Sequence, residues 1–335
     1  MTCITDKQIQ KLNGIACQIR QDLISMLVEA GSGHTSGTLD MADVFTALYF
    51  SGVLKYDPKN PNWPERDRVL LSNGHICPVL YAALARAGYF SVSELKTLRR
   101  LGTRLQGHPH RASLPGIESS SGPLAHSAGI AVGMAIAAKM DKVKYQVYCL
   151  AGDGEQDEGM TWEAAMLAGK LKLDNLTYIM DRNNIQIDGY TEDVMPLEPL
   201  KEKYEAFGWR VLDVDGHNIR QIVDAIKEAK AIYEKPVMIL AHTIPGKGIS
   251  SIEFDYSWHG KVPTPEQGKE FFRTKPARRP RTSYFARRFR IQQTFREISW
   301  QKASPWLSRS NRRKARQHSD FSLPIPPARR QNLRG

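Results

Sequence analysis

Between Tyr145 and Gly189 the chain reads YQVYCLAGDGEQDEGMTWEAAMLAGKLKLDNLTYIMDRNNIQIDG, and this stretch limits the possible folds more than any other. Tyr145 to Leu150 is a short apolar, β-favouring run that stops abruptly at Ala-Gly-Asp-Gly. Apolar or small residues then recur at helical spacing (Trp162, Ala165, Met166, Gly169, Leu173), and Leu176 to Met180 is a second β-like run. Strand, helix, strand is a β-α-β unit, whose right-handed crossover brings both strand ends to one edge of a parallel sheet. Asp153 and Asn183, although 30 positions apart, are therefore expected side by side at the edge where ligands bind. A carboxylate, an amide oxygen and a nearby main-chain carbonyl suit Mg²⁺ or Ca²⁺, with phosphate oxygens and water completing a shell of about six. Gly152 and Gly154 let the backbone approach a phosphate closely.

The rest of the chain alternates in the same way. Ile9, Leu12, Ile15, Ile19, Leu23, Met26 and Leu27 form the apolar face of a helix ending near Ala30-Gly31. The glycine loop GSGHTSG opens a second helix, Leu39 to Phe50. Arg68 to Leu71 is a strand running into Ser-Asn-Gly-His75, and helices follow at Pro78 to Ala87 and Ser127 to Met140. A strand at Val211 to Val214, a helix at Ile219 to Tyr233 and a buried strand at Val237 to Ala241 complete the series. The pattern predicts an α/β fold with a doubly wound, mainly parallel sheet flanked by helices.

Composition narrows the setting. With 335 residues the chain can bury one large core or two modest ones. Its four cysteines are scattered without paired spacing, which fits a reducing compartment, and the longest weakly polar run, Ile130 to Ala138, is too short to span a bilayer. A soluble, cytoplasmic protein is expected. The net charge of +12 suggests nucleic acid until it is located: from Arg273 onward there are 18 of the 47 Lys and Arg but only Glu297 and Asp320 among acids. That segment carries +16 and residues 1–272 carry −4, so the body is mildly acidic and the tail alone is basic.

The words GDGEQDEG, WEAAMLAGKLKLDNL, DRNNIQIDG and VMPLEPL resemble the amino-terminal half of transketolase, in particular the separate subunit of split transketolases. The resemblance implies a thiamine-diphosphate-binding fold, with the metal held by Asp153, the side chain of Asn183 and the main-chain oxygen of Ile185. It places Gly152, Gly154, Lys247 and His259 at the diphosphate, and Gly122, Pro123 and Leu124 at the pyrimidine. His34, His75, His108 and His259 match the family's active-site histidines, and Glu158 and Glu163 match acidic residues at its subunit contact, linking two active sites. There are departures. Thr35 replaces the proline after the first histidine, which implies a freer loop, and His110 stands where the family carries an acid. Ala125-His126-Ser127 replaces Gly-Gln-Gly, and Pro245 replaces a lysine for which Lys247 compensates. His217 and His242 read as structural.

The resemblance runs from about residue 7 to about 270, giving a cofactor-binding domain at 1–270 and a basic, low-order tail at 271–335. The family's pyrimidine-binding domain, which supplies a carboxylate to the cofactor, has no counterpart here. The resemblance therefore implies half an enzyme, needing a companion subunit in an assembly with two of each and acting on sugar phosphates. A degenerate, non-catalytic relative with a nucleic-acid- or partner-binding tail is the alternative. For the tail, a frameshift between Gly268 and Arg273 competes with an acquired basic arm carrying Trp300 and Trp306 for stacking. Translating the coding DNA in its other two frames decides between them. The frameshift expects an acidic, family-like ending in one frame, and its absence from both leaves the basic arm.

Overall fold

The computed structural model describes residues 4–273. Helix α1 (Asp6–Ala30) starts from a reciprocal cap in which Thr5 and Gln8 satisfy each other's backbone N–H groups, and it ends at Gly31 in the left-handed region, φ +61°. Helices α2 (Ser36–Asp40) and α3 (Ala42–Phe50) follow. The single helix expected from Leu39 to Phe50 is broken at Met41, where Asp40 turns inward to accept from Gly246 N–H.

Strand β1 (Arg68–Leu71) leads into α4 (Cys77–Ala87), and α5 (His126–Met140) precedes β2 (Val147–Gly152), α6 (Gly159–Lys170) and β3 (Leu176–Arg182). A small hairpin, β4 (Ile185–Gln186) and β5 (Gly189–Tyr190), comes next, then α7 (Thr191–Val194) and α8 (Leu200–Ala206). The remaining elements are β6 (Arg210–Asp215), α9 (Ile219–Ala229), β7 (Val237–His242) and α10 (Pro265–Arg273). Five strands form one parallel sheet in the order β1-β2-β3-β7-β6, as the alternating sequence pattern predicts. The β2/β3 register pairs Gly152 with Asp181, so the residues following both strands emerge together.

Strand residues alternate between two cores, as the period-2 pleat requires. Tyr148, Leu150, Ile179 and Ile239 join the core beneath α1, α3, α4 and α9, whereas Val147, Cys149, Ala151, Tyr178, Met180 and Leu240 join that beneath α5, α6 and α8. Both faces of the sheet are thus covered and the open carboxyl edge is left for a ligand. Among the described residues no helix is long and apolar enough to cross a membrane.

Gly169 fixes how closely α6 and α8 approach. A Cβ there would sit 1.8 Å from the carbonyl oxygen of Phe207, and Trp209 Nε1 donates to Ala165 O at 2.8 Å one turn away. Gly169→Ala must push the two helices apart and is expected to cost about 3 kcal/mol, at the upper end for overpacking, read as a lowered urea midpoint. An unchanged midpoint would show that the contact yields freely.

Candidate functional site

The loops leaving the sheet's carboxyl edge converge on a cluster of imidazoles. His34 lies between α1 and α2, His75 in the turn after β1, and His259 just beyond a short 3₁₀ turn at Tyr256–Trp258. Ring centroids are 4.6 Å apart for His34 and His75, 5.4 Å for His75 and His259, and 5.7 Å for His34 and His259. His108, exposed in the loop before α5, acts on His34 and His75 electrostatically, and its ring is 3.8 Å from where a Cβ on Gly122 would lie. Gly74 is required here, because a Cβ would stand 2.6 Å from Ser121 Oγ and 3.0 Å from the Ser121 carbonyl carbon.

Burial is the main force on these rings. It pushes the His34 pKa down to about 4, helped by His259, Arg99 and His108, and it lowers His75, His108 and His259 as well. All four are neutral at neutral pH, each with one donor and one acceptor nitrogen. Nδ1 of His34 and Nδ1 of His259 are buried without a hydrogen-bond partner, as are Ser36 Oγ, Asn73 Oδ1 and Ser121 Oγ. Buried polar atoms are nearly always paired, so this orphan set fits a polar ligand held among the loops.

Thr35 does not leave its loop free. The buried hydroxyl donates to Lys261 O at 2.5 Å, tying the His34 loop to the segment carrying His259. The expectation of a freer loop is corrected, since a hydrogen bond supplies the restraint that a proline ring would have given.

The expected metal ligands are neighbours. Asp153 is buried after β2; its Oδ1 accepts from Gly154 N–H at 2.8 Å, and its Oδ2 accepts from Asn184 N–H at 2.7 Å and Arg182 Nη1 at 2.9 Å. Three of about four lone-pair directions are used, leaving one for a cation. Asn183 Oδ1 accepts from Ile185 N–H at 3.1 Å and keeps its second lone pair, while Asn184 takes the left-handed turn, φ +65°, that starts β4. The described residues hold no group of three or more His, Cys, Asp or Glu side chains able to bind a metal, so a cation here would depend on added oxygens such as a diphosphate's. One carboxylate, one amide and one carbonyl therefore fit a metal–diphosphate pair better than a bare ion.

Not every expected residue joins this centre. Glu158, the N-cap of α6, and Glu163 within it are exposed, alongside solvent-facing Met160, Met166 and Leu167. Lys247 Nζ is held by Glu253 at 3.5 Å. Pro123 is exposed and Leu124 half-buried in the loop before α5. His217 is structural in its contacts: its Nε2 accepts from Ile244 N–H at 2.8 Å, so Nδ1 carries the proton and donates to Asp43 at 2.8 Å, where Arg20 also binds. His242 Nε2 contacts Asp213 at 3.2 Å.

Four residues for which the sequence suggested no role shape the site. Glu155, buried, accepts from Ser72 Oγ, Ala125 N–H and Gly152 N–H, clamping three loops together. Arg182, also buried, spans Asp153, Glu192 and Glu198. Asp40 and Asp181 flank Asn183, and burial pushes both carboxyls up. A charged residue at the end of an otherwise apolar strand was the available signal for Arg182 and Asp181.

A thiamine-diphosphate-type α/β fold with a histidine cluster at the sheet's carboxyl edge is the class these features define. The family model described as "Transketolase, thiamine diphosphate binding domain" matches residues 13–308, running past 270 into residues outside the described part. The chain is 47% identical over 251 residues to a subunit of the 6-deoxy-6-sulfo-D-fructose transketolase of Clostridium sp. (strain MSTE9), covering 75% of this chain and 91% of that one. It is 41% identical over 266 residues to one subunit of the apulose-4-phosphate transketolase of Phocaeicola vulgatus, covering 79% and 94%. Among solved structures, transketolase from Campylobacter jejuni superposes with a TM-score of 0.74 at 36% identity, covering 81% of this chain and 44% of that chain. Leishmania mexicana transketolase gives 0.73 at 30%, covering 92% and 48%. The chain thus belongs to the transketolase family, as the diphosphate-binding portion that spans under half of those full-length structures.

Of the three departures before α5, only Ala125 needs an unusual backbone. It holds φ +65°, while His126 and Ser127 lie inside the helix. A left-handed alanine carries strain of about 1 kcal/mol. Ala125→Gly is expected to raise stability by about that amount in urea unfolding; a loss would show that the buried methyl outweighs the strain.

Proposed function

We propose that this chain is the cofactor-binding subunit of a split transketolase, moving a two-carbon ketol unit from a ketose phosphate to an aldose phosphate together with a companion subunit. The observation that carries this reading is the close packing of three imidazoles, His34, His75 and His259, on loops at the same end of the sheet as the Asp153–Asn183 turns. Asp153, the Asn183 amide oxygen and the Ile185 carbonyl would hold Mg²⁺ or Ca²⁺. Gly152, Gly154, Lys247 and His259 would face the diphosphate, and Gly122, Pro123 and Leu124 the aminopyrimidine. When bound, thiamine diphosphate supplies the carbon nucleophile and electron sink for breaking and making a carbon–carbon bond.

The protein's own part is to position and to move protons. A neutral imidazole can accept a proton from one sugar hydroxyl and give one to a carbonyl oxygen, and the buried Nδ1 atoms of His34 and His259 are unclaimed by the fold. Burial also excludes water, which strengthens each of these contacts. The substrates named for the two relatives, a sulfofructose and apulose 4-phosphate, both place an anionic group at the sugar's far end. This chain is read as acting on the same class.

The companion subunit is needed for the pyrimidine-side carboxylate, and the exposed Glu158 and Glu163, at the N-cap of α6 and within it, would meet an adjoining subunit in an assembly with two of each. A cytoplasmic setting agrees with Cys17, Cys77 and Cys149 being free thiols. Domain limits at 1–270 and 271–335 belong to the same reading; the frameshift's junction, Gly268 to Arg273, falls within α10, and the tail beyond Arg273 lies outside the described residues. The strained Ala125 favours the second reading, a non-catalytic relative.

Calorimetry of thiamine diphosphate with Mg²⁺, on the chain mixed with its companion, separates the two. Saturable binding that disappears in Asp153→Ala is expected, with turnover in the mixture and little in the chain alone. Absence of binding in the mixture would overturn the enzyme reading.

A further inference from the structure

Asp40 and Asp181 are both buried, and neither forms an ion pair among the described residues. Two buried carboxyls with no cation within ion-pair distance are costly, Arg20 acting on Asp40 only from farther off, and their contacts are regular. Asp40 Oδ2 and Asp181 Oδ2 accept from the same nitrogen, Asn183 Nδ2, at 3.0 and 3.1 Å. Their other oxygens both reach the segment after β7: Asp40 Oδ1 accepts from Gly246 N–H at 2.8 Å, and Asp181 Oδ1 accepts from Thr243 Oγ1. Each carboxyl thus bridges the Asn183 amide to the 243–246 loop.

A primary amide has two N–H groups, and here each has its own acceptor. Turning the amide over would set Oδ1 against two carboxyls and Nδ2 against the Ile185 N–H, losing three hydrogen bonds at once. The amide therefore has one orientation, with its oxygen directed away from the acids.

We propose that Asp40 and Asp181 are a positioning pair that fixes the Asn183 oxygen for the cation and couples it to the 243–246 loop, so that metal binding and ordering of that loop are a single event. Neither residue touches the cation itself. The proposal rests on the metal reading given above for its cation half, and on hydrogen-bond geometry alone for the coupling.

Asp40→Asn is the sharpest probe. Its shape is nearly unchanged, yet whichever way the new amide turns, its NH₂ faces either Asn183 Nδ2 or Gly246 N–H. One bridge must break. Asp181→Asn repeats the test from the other side. On the full chain with its companion, the Mg²⁺ concentration for half-maximal thiamine diphosphate binding is expected to rise about 10- to 100-fold in both variants. Saturating Mg²⁺ should restore the cofactor affinity, which a general loss of structure would not allow. In the metal-free chain, hydrogen exchange at the backbone of 243–248 should quicken while the thermal midpoint stays at or above wild type. Wild-type Mg²⁺ dependence together with wild-type loop exchange in both variants would overturn the proposal. If the wild-type chain binds no cofactor, the enzyme reading and the cation half fall together; the exchange comparison needs no cofactor and decides the coupling independently.

Discussion

Register between β2 and β3 is the constraint on which the site depends. Parallel pairing of Gly152 with Asp181 places the turn after one strand against the turn after the other, so that Asn184 N–H reaches the Asp153 carboxylate at 2.7 Å. A slip of one residue would turn Asp181 to the opposite face of the sheet, carry Asn183 with it and remove both from their partners Thr243 and Asp40. Two hydrophobic cores, one per face, hold that register, because each strand residue is committed to one side. The acids at the edge can therefore sit in a low-dielectric setting without choosing their own geometry.

The same burial serves two kinds of chemistry. It keeps His34, His75 and His259 neutral, hence able both to give and to take a proton, and it draws hydrogen-bond donors around the acids while one direction on Asp153 stays open. Arg20, Asp43 and His217 form a third buried group that pins Ile244 by its backbone. The loop bearing Pro245 and Lys247 is thus held at Ile244 by His217 and at Gly246 by Asp40, while the Lys247 side chain is turned to Glu253.

Much of this was legible in the sequence, for physical reasons. Strands and helices announce themselves through apolar periodicity, and the β-α-β rule alone put Asp153 next to Asn183. The four histidines came through short words around them. What stayed hidden were contacts made across long sequence separations by residues with no local signature. Asp40 reads as a helix-end acid until Gly246, 206 positions later, donates to it. Glu155 resembles a turn residue until Ala125 and Ser72 are folded onto it. Thr35 looks like a loss of rigidity because its partner, Lys261, lies 226 positions away.

Strand order also sets an order of pairing during synthesis. β7, made last, inserts between β3 and β6, so β6 has no strand to pair with until residues 237–242 exist. A nascent chain halted before that point would hold three paired strands and one unpaired edge. Even then the cleft would be incomplete, since His259 and the Thr35–Lys261 tie come later still. The histidine cluster is consequently among the last parts of the described chain to close, followed only by α10, whose Phe271 packs on Trp258.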